Sequence, residues 1–500
     1  MSQLSKFFCM AMLALAPLAF AQCSDDKGGN KNDVPAAVVT LPDEYQSLQW
    51  TDQGGQKSIT ISSNVDLTPE TSADWVTVTP ATSYAKGVLK FFVECAENAS
   101  IENREAEVSF TAADGTTVKI TIRQSGKADM SLTAKDVIGR IKAGVNIGNT
   151  MEATGGETSW GNPQVNATYI AGLKDLGFNA VRIPCAWHSH FSNAKTYTID
   201  KEWMDRVKEV VGYCVDNDMY VVLNSHWDTG WLEDNIFDAS KESAIVAEQK
   251  AIWTQIAKAF NDFDAHLIFA GCNEPGMNET SSGGKSWEKT PSAVSRLVKY
   301  EQTFIDAVRA TGGNNAKRCL VFQGLGTDIS NTSDFMTNLP TDEAVDRLIA
   351  EVHYYEPYQW ALMEKDAGWG KVFWYWGKEN HKDGSAHNAD WGEESWVESQ
   401  FAKMKKRFVD NGIPVIVGEF SSRVQTAATR DDKTEEFDEE LHKKSRAYFN
   451  EVVTRVAKNN GCAPFYWETG SEIKRADGTA KNQYAIDGIM KGAEAGVYPW

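Results

Sequence analysis

One pattern dominates the chain from residue 128 onward: a short apolar run rich in β-branched residues, a polar turn, then a stretch of helical period. The runs fall at 143–147, 180–183, 220–224, 267–271, 319–322, 348–353, 414–418 and 464–467, eight in all. After the second run Trp203, Val207, Val210, Val211 and Cys214 recur on one helical face, and Trp253, Ile256, Ala257 and Phe260 do so after the third. Eight such repeats within residues 128–500 predict an α/β architecture, a (β/α)8 TIM barrel. The fifth helical stretch is the least marked, and an open doubly wound sheet is the competing architecture.

In a TIM barrel the active site lies where the strands end, so the residues at the run ends form a shortlist. They are Asn146 and Asn149 after the first, Arg182 near the end of the second, His226 and Trp227 after the third, and Asn273 and Glu274 after the fourth. His353 and Tyr355 follow the sixth, Glu419 the seventh, and Trp467 and Glu468 close the eighth. Glu274 and Glu419 stand on facing arcs of the ring. Glycoside cleavage needs such a pair, one carboxyl to protonate the leaving oxygen and one to attack or support the anomeric carbon. Different settings can keep one protonated and the other ionised. Arg182 would hold one carboxylate charged. His226, His353 and Tyr355 would orient a carboxylate or bind sugar hydroxyls, and Trp467 would lie under the reacting sugar.

Each piece has a plainer reading. Asn273-Glu274-Pro275 alone is a turn, and the two histidines could be ordinary rim residues or metal ligands. No HxH or HExxH spacing accompanies them, so neither a metal nor a cofactor is expected. Gly-rich phosphate loops, a GxSxG elbow and a dinucleotide fingerprint are missing from these elements. His381 and His387 sit in a polar loop and read as solvated, and residues 431–440 read as an exposed, charged helix start. Trp360, Trp369, Trp374, Trp376, Trp391 and Trp396 crowd the long connection after the sixth run. Connections of this length are often functional. A minority of the six is expected to line aglycone subsites while the rest pack the loop on the barrel.

Residues 38–127 read differently, as short alternating runs at 58–61, 88–93, 107–111 and 117–123, with Asp114-Gly115 as a hairpin turn between the last two. A small all-β sandwich fits, with Trp75 expected in its core. Ahead of it, residues 1–22 read as a signal peptide: Lys6, an apolar stretch over 7–20, and Ala19-Phe20-Ala21 as a cleavage site. Cys23-Ser24-Asp25-Asp26 and a polar tether over 23–37 resemble a bacterial lipoprotein export signal, with Cys23 acylated as first mature residue. That implies an outer-membrane or cell-surface protein held by a lipid anchor; soluble secretion after Ala21 is the alternative. Cys95, Cys185, Cys214, Cys272, Cys319 and Cys462 lack metal or CxxC spacing and read as buried free thiols. A net charge of −19 argues against nucleic-acid or anionic-membrane surfaces as partners and is compatible with a neutral substrate. Seventeen Trp suit the flat faces of sugars.

Across residues 130–500 the chain resembles glycoside hydrolase family five, subfamily four. The resemblance rests on AGVNIGNT (143–150), SWGNP (159–163), GFNAVRIP (177–184), NSHW (224–227), Asn273-Glu274-Pro275, His353-Tyr354-Tyr355 and Gly418-Glu419-Phe420, in that order. It implies a retaining double displacement, with Glu274 as acid/base and Glu419 as nucleophile. Arg182 and Tyr355 match the residues that contact the nucleophile. Asn273 matches the amide for the 2-hydroxyl, His226 and His353 the site histidines, and Trp467 the floor of the −1 subsite; Asn149 joins the substrate-binding set. The implied substrates are β-1,4-glucans, xyloglucan among them; an inactive glycan-binding lipoprotein and an endo-xylanase or mannanase of the same fold are the alternatives. Two stretches depart from the family's usual His-His and Pro-Val-Thr-Trp: His226-Trp227 and Pro184-Cys185-Ala186-Trp187. Both departures are expected near the glycone side of the cleft, where they bear on substrate choice. Residues 38–127 resemble the BACON domain through Asp74-Trp75-Val76-Thr77-Val78, 98–104 and 120–126, with a spacer role expected over glycan binding.

Overall fold

The computed structural model describes residues 36–81, 87–100, 102–127, 129–430 and 432–500. The expected signal peptide, Cys23 and all but the end of the tether lie outside the described residues. The chain forms two compact units. One holds the described chain up to Glu97 together with Arg104–Gln124, the other Asn98–Asn103 with Ser125–Trp500.

The first unit is a sandwich of two four-stranded sheets. One sheet runs in the spatial order Val39–Thr40, Gly55–Ser63, Val88–Cys95, Val76–Pro80, and the other Ser47–Trp50, Thr117–Gln124, Arg104–Thr111, Thr68–Thr71. Alternation supplies the core: Ile59, Ile61, Leu89, Phe91 and Val93 from one sheet meet Val108, Phe110, Ile120 and Ile122 from the other. The Asp114-Gly115 turn forms, with Gly115 at φ 92° and Asp114 Oδ1 accepting from the Thr116 amide at 2.9 Å. Trp75 packs against the edge of this core. It sits just ahead of the strand at Val76–Pro80, only half-buried, with the Arg104 guanidinium 4.3 Å from its ring centre.

The second unit is a closed barrel of eight strands, which excludes the open sheet. In chain order they are β1 (Gly144–Asn146), β2 (Ala180–Ile183), β3 (Tyr220–Asn224), β4 (Leu267–Ala270), β5 (Leu320–Gln323), β6 (Leu348–Tyr354), β7 (Val415–Phe420) and β8 (Cys462–Tyr466). All pairings are parallel, and β8 pairs with β1 through Phe465↔Gly144. Gly144 permits that closure, because a Cβ there would lie 2.2 Å from the Phe465 ring. One main helix follows each strand: α1 (Ala167–Asp175), α2 (Lys201–Asp216), α3 (Glu242–Ala259), α4 (Pro291–Arg309), α5 (Ile329–Phe335), α6 (Glu394–Arg407), α7 (Glu439–Asn459) and α8 (Gln483–Ala495). The fifth is indeed short, at 7 residues. The buried face of α2 is Trp203, Val207, Val210, Val211 and Cys214.

Both faces of each strand are buried, which is why the runs read as continuously apolar. Val181, Val221, Leu223, Leu267, Phe269, Val415 and Val417 pack outward with the helices. Ala180, Val222, Ile268, Val321, Ile349, Ile416 and Ala463 face the barrel axis, where the helix Ala134–Arg140 plugs the lower end with Val137 and Ile138. The six described thiols are free and buried. Among the described residues no helix is long and apolar enough to cross a membrane.

The outer layer also braces the end of β4. Trp253 of α3 packs between Phe269 and Phe304, with centroids 5.5 and 4.5 Å away, and donates to the Gly271 carbonyl at 3.2 Å. Trp253→Ala removes this wedge and should cost about 3–5 kcal/mol of stability, read as a lower denaturant midpoint.

Candidate active site

Along the inward faces the chemistry changes from apolar to polar as the strands rise. Ala180 is followed two residues on by Arg182, Val222 by Asn224, Val321 by Gln323, and Ile349 by Glu351 and then His353. Period-two alternation therefore stacks a polar layer on an apolar one inside the same barrel. Arg182 is the hub of that layer and is fully buried. Its Nη1 reaches Glu419 Oε1 at 2.8 Å and Asn146 Oδ1 at 3.0 Å, its Nη2 reaches Asn273 Oδ1 at 2.7 Å, and its Nε faces Glu351 Oε1 at 3.0 Å. Burial opposes the guanidinium charge, but Glu351 and Glu419 outweigh it and raise its pKa. Asn146 ties the hub to the scaffold by donating to the carbonyls of Gly418 and Tyr466 at 2.9 and 3.2 Å.

Simple alternation would send Glu419 outward, since Ile416 and Gly418 face in. The strand avoids this with an irregularity: Val352 pairs with Val417, but His353 pairs with Glu419. The extra residue, Gly418, lets two consecutive positions face the axis, as a β-bulge does. Glu419 then lies inside β7 rather than after it, held by Arg182 and by Tyr355 Oη, which donates to its Oε2 at 2.7 Å. Burial, with Glu419 and Glu274 beside it, pushes the Tyr355 phenol well above its usual range, so it remains a donor.

Glu274 leaves β4 on a short turn that runs into Gly276, whose φ of 79° is left-handed. From below, Glu233 accepts from the Asn273 amide at 2.8 Å. Burial and then the neighbouring Glu274 push Glu233 up to about 8, so it stays protonated at neutral pH. The Glu274 side chain is 27% exposed against 6% for Glu419, so the first opens to the cleft and the second is shielded.

His353 joins the two. Its Nδ1 lies 2.7 Å from Glu274 Oε1 and 3.7 Å from Glu419 Oε2, and its Nε2 lies 3.3 Å from Glu351 Oε1. Burial opposes a charge on the ring, but Glu419, Glu274 and Glu351 outweigh it and raise its pKa to about 10. One atom from each of Glu274, His353 and Glu419 lies within 4.8 Å of the others, a spacing a cation would tolerate. Here the imidazolium itself supplies the positive charge between the carboxylates. His226 is the opposite case: burial, then Arg182 and His353, push it well below the usual range and leave it neutral. Asn224 accepts from the Cys185 amide at 3.1 Å, so its Nδ2 donates to His226 Nδ1, also at 3.1 Å. That assigns the ring proton to Nε2. Trp467 stacks on His226 at 5.9 Å with planes 7° apart and stays half-exposed. Asn149 lies on the loop after β1 at φ 56°, its backbone held by Glu152 and by Asn162 Nδ2 at 3.0 Å.

The structure thus brings Arg182, His226, Asn273, Glu274, His353, Tyr355, Glu419 and Trp467 together at one end of the barrel, with Asn149 on an adjoining loop. Sequence reasoning missed Glu351 and Glu233. Glu351 carried a signal, a lone carboxylate in an apolar run two residues before His353 and so on its face; Glu233, in a polar loop, carried none. Asn162 also gains a role, bridging Gly148, Asn149 and Thr469.

Several expectations need correction. His387 is buried rather than solvated, stacked 3.5 Å from Trp374, with Nδ1 on the Val372 carbonyl at 2.6 Å and Nε2 3.3 Å from Asp432. The helix expected from residue 431 begins at Glu439, capped by Asp438, because the preceding segment folds over Trp374 and Tyr375 instead. Of the six Trp after β6, Trp360, Trp374 and Trp376 are buried, and Trp369, Trp391 and Trp396 are exposed. Cys185, Ala186 and Trp187 are fully buried, so that departure is one of packing; Trp227 alone of the two departures stands exposed.

Comparisons with known proteins show the family and the fold. The family model described as cellulase (glycosyl hydrolase family 5) matches residues 145–472, and the BACON model, an N-terminal binding-domain family, matches residues 64–125. A xyloglucan-specific endo-β-1,4-glucanase of Bacteroides ovatus is 32% identical over 96% of this chain and 95% of its own length. A solved xyloglucan-specific β-1,4-glucanase from a ruminal metagenomic library, in complex with XXLG, is 37% identical with a TM-score of 0.67, covering 74% of this chain and 98% of that one. A broad-specificity endoglucanase from Bacteroides salanitronis is 32% identical with a TM-score of 0.62, covering 73% of this chain and 96% of that one.

The bulge can be probed directly. A Cβ at Gly418 would lie 1.9 Å from Glu351 Oε1 and 3.0 Å from His353 Nε2. Gly418→Ala should therefore cost about 1–3 kcal/mol of stability, read as a lower unfolding midpoint, and a crystal structure of the variant should show Glu351 displaced from Arg182.

Proposed function

The chain belongs to glycosyl hydrolase family 5, and from that premise we propose that it is a retaining endo-β-1,4-glucanase of plant β-glucans, xyloglucan among them. Glu274 is the acid/base and Glu419 the nucleophile. The observation that carries this reading is the carboxyl spacing: an oxygen of Glu274 and one of Glu419 lie within 4.8 Å. Retaining enzymes place their carboxyl groups about 5–5.5 Å apart, and inverting ones about 6.5–9.5 Å, to admit a water.

The steps follow from the contacts. Arg182 and Tyr355 hold and aim Glu419, so its oxygen attacks the anomeric carbon while Glu274 passes a proton to the departing glycosidic oxygen. The resulting glycosyl-enzyme is opened by water, from which Glu274, now a carboxylate, takes a proton. Asn273, fixed by Arg182, serves the 2-hydroxyl. Neutral His226, with its proton on Nε2, and the half-exposed Trp467 serve the sugar at the reacting position.

In the export segment, the Cys23-Ser24-Asp25-Asp26 stretch supports acylation at Cys23 and an outer-membrane, cell-surface location. In the sandwich, no aromatic side chain among the described residues is exposed, which supports a spacer role.

Glu419→Ala should abolish release of reducing ends while leaving polysaccharide binding intact; hydrolysis at the normal rate would remove the assignment. Proton NMR of the unaltered enzyme should show the β-anomer as first product, and an α-anomer would point to inversion. A product profile on xyloglucan, mixed-linkage glucan, carboxymethyl cellulose, xylan and glucomannan settles the substrate. For location, Cys23→Ala should eliminate fatty-acid labelling and move the protein from the membrane fraction to the soluble one.

A further inference from the structure

Glu351 is fully buried in the middle of β6, and its two oxygens face three donors. Oε1 lies 3.0 Å from Arg182 Nε and 3.3 Å from His353 Nε2, and Oε2 lies 2.5 Å from Gln323 Nε2. Resting on the reading of Glu274 as the acid, we propose that Glu351 is a positioning residue that keeps His353 doubly protonated, so that the proton of Glu274 is carried on Oε2 and offered to the glycosidic oxygen.

The argument is one of donors and acceptors. An ionised carboxylate only accepts, so facing Glu351 fixes a proton on His353 Nε2. Nδ1 carries a second proton only while the ring is cationic. In that state Nδ1–H donates to Glu274 Oε1, 2.7 Å away, and the acid's own proton is left on Oε2. Were the ring neutral, Nε2–H would stay on Glu351 and Nδ1 would become an acceptor. It would then draw the Glu274 proton onto Oε1, away from the bond to be cut. During glycosylation the Oε2–H bond breaks and its proton goes to the departing oxygen. The glycosidic C–O bond breaks as the bond from Glu419 to the anomeric carbon forms, and the new Glu274 carboxylate is received by the Nδ1–H already in place.

The surrounding charges fit this role. His353 is faced by Glu274 from the β4 turn, Glu419 from β7 and Glu351 from its own strand, with His226 beyond β3 nearby and with Arg182 of β2 and Tyr355, just past the end of β6, on Glu419. Glu419 is shared with Arg182 and Tyr355. Glu351 is the carboxylate here that is given no chemical step, and Arg182 and His353 hold it below the usual carboxylate range against the effect of burial.

The test is Glu351→Gln, which keeps an oxygen for Nε2–H and Arg182 Nε but removes the charge. On β-glucan its kcat should acquire a new fall as pH rises between the ordinary imidazole value of 6.5 and about 10, where the unaltered His353 titrates. Past the new ionisation the loss should be about tenfold per pH unit, with KM little changed. On 2,4-dinitrophenyl cellobioside, whose leaving group needs no proton, the variant should keep its activity, and Glu351→Asp should restore the profile on β-glucan. An unchanged pH profile, or an equal loss on both substrates, overturns the proposal and leaves Glu351 as structural support for Arg182. If Glu351→Gln does not fold, 15N NMR of the unaltered protein decides: both ring nitrogens of His353 must be protonated at the pH of maximal activity, and a single unprotonated nitrogen overturns the idea. Glu274→Ala separates the underlying reading: with the true acid/base removed, glycosylation by the dinitrophenyl substrate should survive as a burst of dinitrophenolate while the later hydrolysis slows, and loss of the burst would reject Glu274 as acid.

Discussion

The buried guanidinium of Arg182 is the contact on which the polar layer depends. A cation taken out of water costs several kcal/mol, and only close partners of opposite charge and full hydrogen bonding repay it. Arg182 has close anionic partners in Glu351 and Glu419, which face it from β6 and β7, and its two Nη atoms donate to Glu419, Asn146 and Asn273, while Nε faces Glu351 as an ion pair only. These partners come from β1, β6, β7 and the turn after β4, so satisfying one charge fixes the relative positions of four segments of the ring. The cost of leaving any partner out is what makes the arrangement rigid. His353 extends the same layer as a second cation, so two positive side chains are spread among Glu351, Glu419 and Glu274.

How much of this was legible depends on which period governs each residue. The barrel was readable because its strands are buried on both faces, which leaves eight apolar runs, and because α2 marks its buried face from Trp203 to Cys214 without a break. The rim residues were readable because strand ends are where polar side chains enter an apolar barrel. Glu419 was placed after its strand instead of within it, because the strand runs two residues further, to Phe420. Its inward aim comes from the bulge at Gly418, and alternation alone would have turned it toward the helices. Glu351 was overlooked because a carboxylate inside an apolar run looks like an interruption until the facing Arg182 is known. Glu233 lay beyond reach, since its partner is a backbone amide that no side-chain pattern announces. The connection after β6 misled for a related reason. A histidine among polar residues reads as solvated, and the Trp374 ring that buries His387 is thirteen positions away.

Among its described residues the sandwich presents no exposed aromatic face. Sugar recognition by a β-sheet surface needs flat faces open to solvent, where a ring can stack. In this unit Trp50 is buried with Lys57 4.8 Å from its ring centre, Trp75 is covered by Arg104, and Phe92 has Lys90 at 5.4 Å. Cation–π pairing and packing occupy these faces, and each would have to release a charged neighbour before a sugar could replace it.

Specificity and chemistry are separable in this fold for a physical reason. The polar groups of the candidate site are built on strands and the turns that follow them and are held by buried ion pairs, so a change among them disturbs the entire polar layer. The stretch at Cys185, Ala186 and Trp187 belongs to that interior too: the Trp187 indole donates to the Asn224 carbonyl at 2.9 Å and its backbone amide to Asp228 at 2.5 Å. Exposed flat faces at the strand-end connections are instead Trp160 after β1, Trp227 after β3, and Trp369, Trp391 and Trp396 after β6. Trp227 is anchored by its Nε1 on Asp234 at 3.1 Å, and Trp396 by its Nε1 on Glu356 at 2.7 Å while Trp391 meets it edge-on. A ring already fixed in place loses little rotamer entropy when a sugar stacks on it. Rim aromatics anchored in this way, Trp227 and Trp396, can vary without touching the charge balance around Arg182.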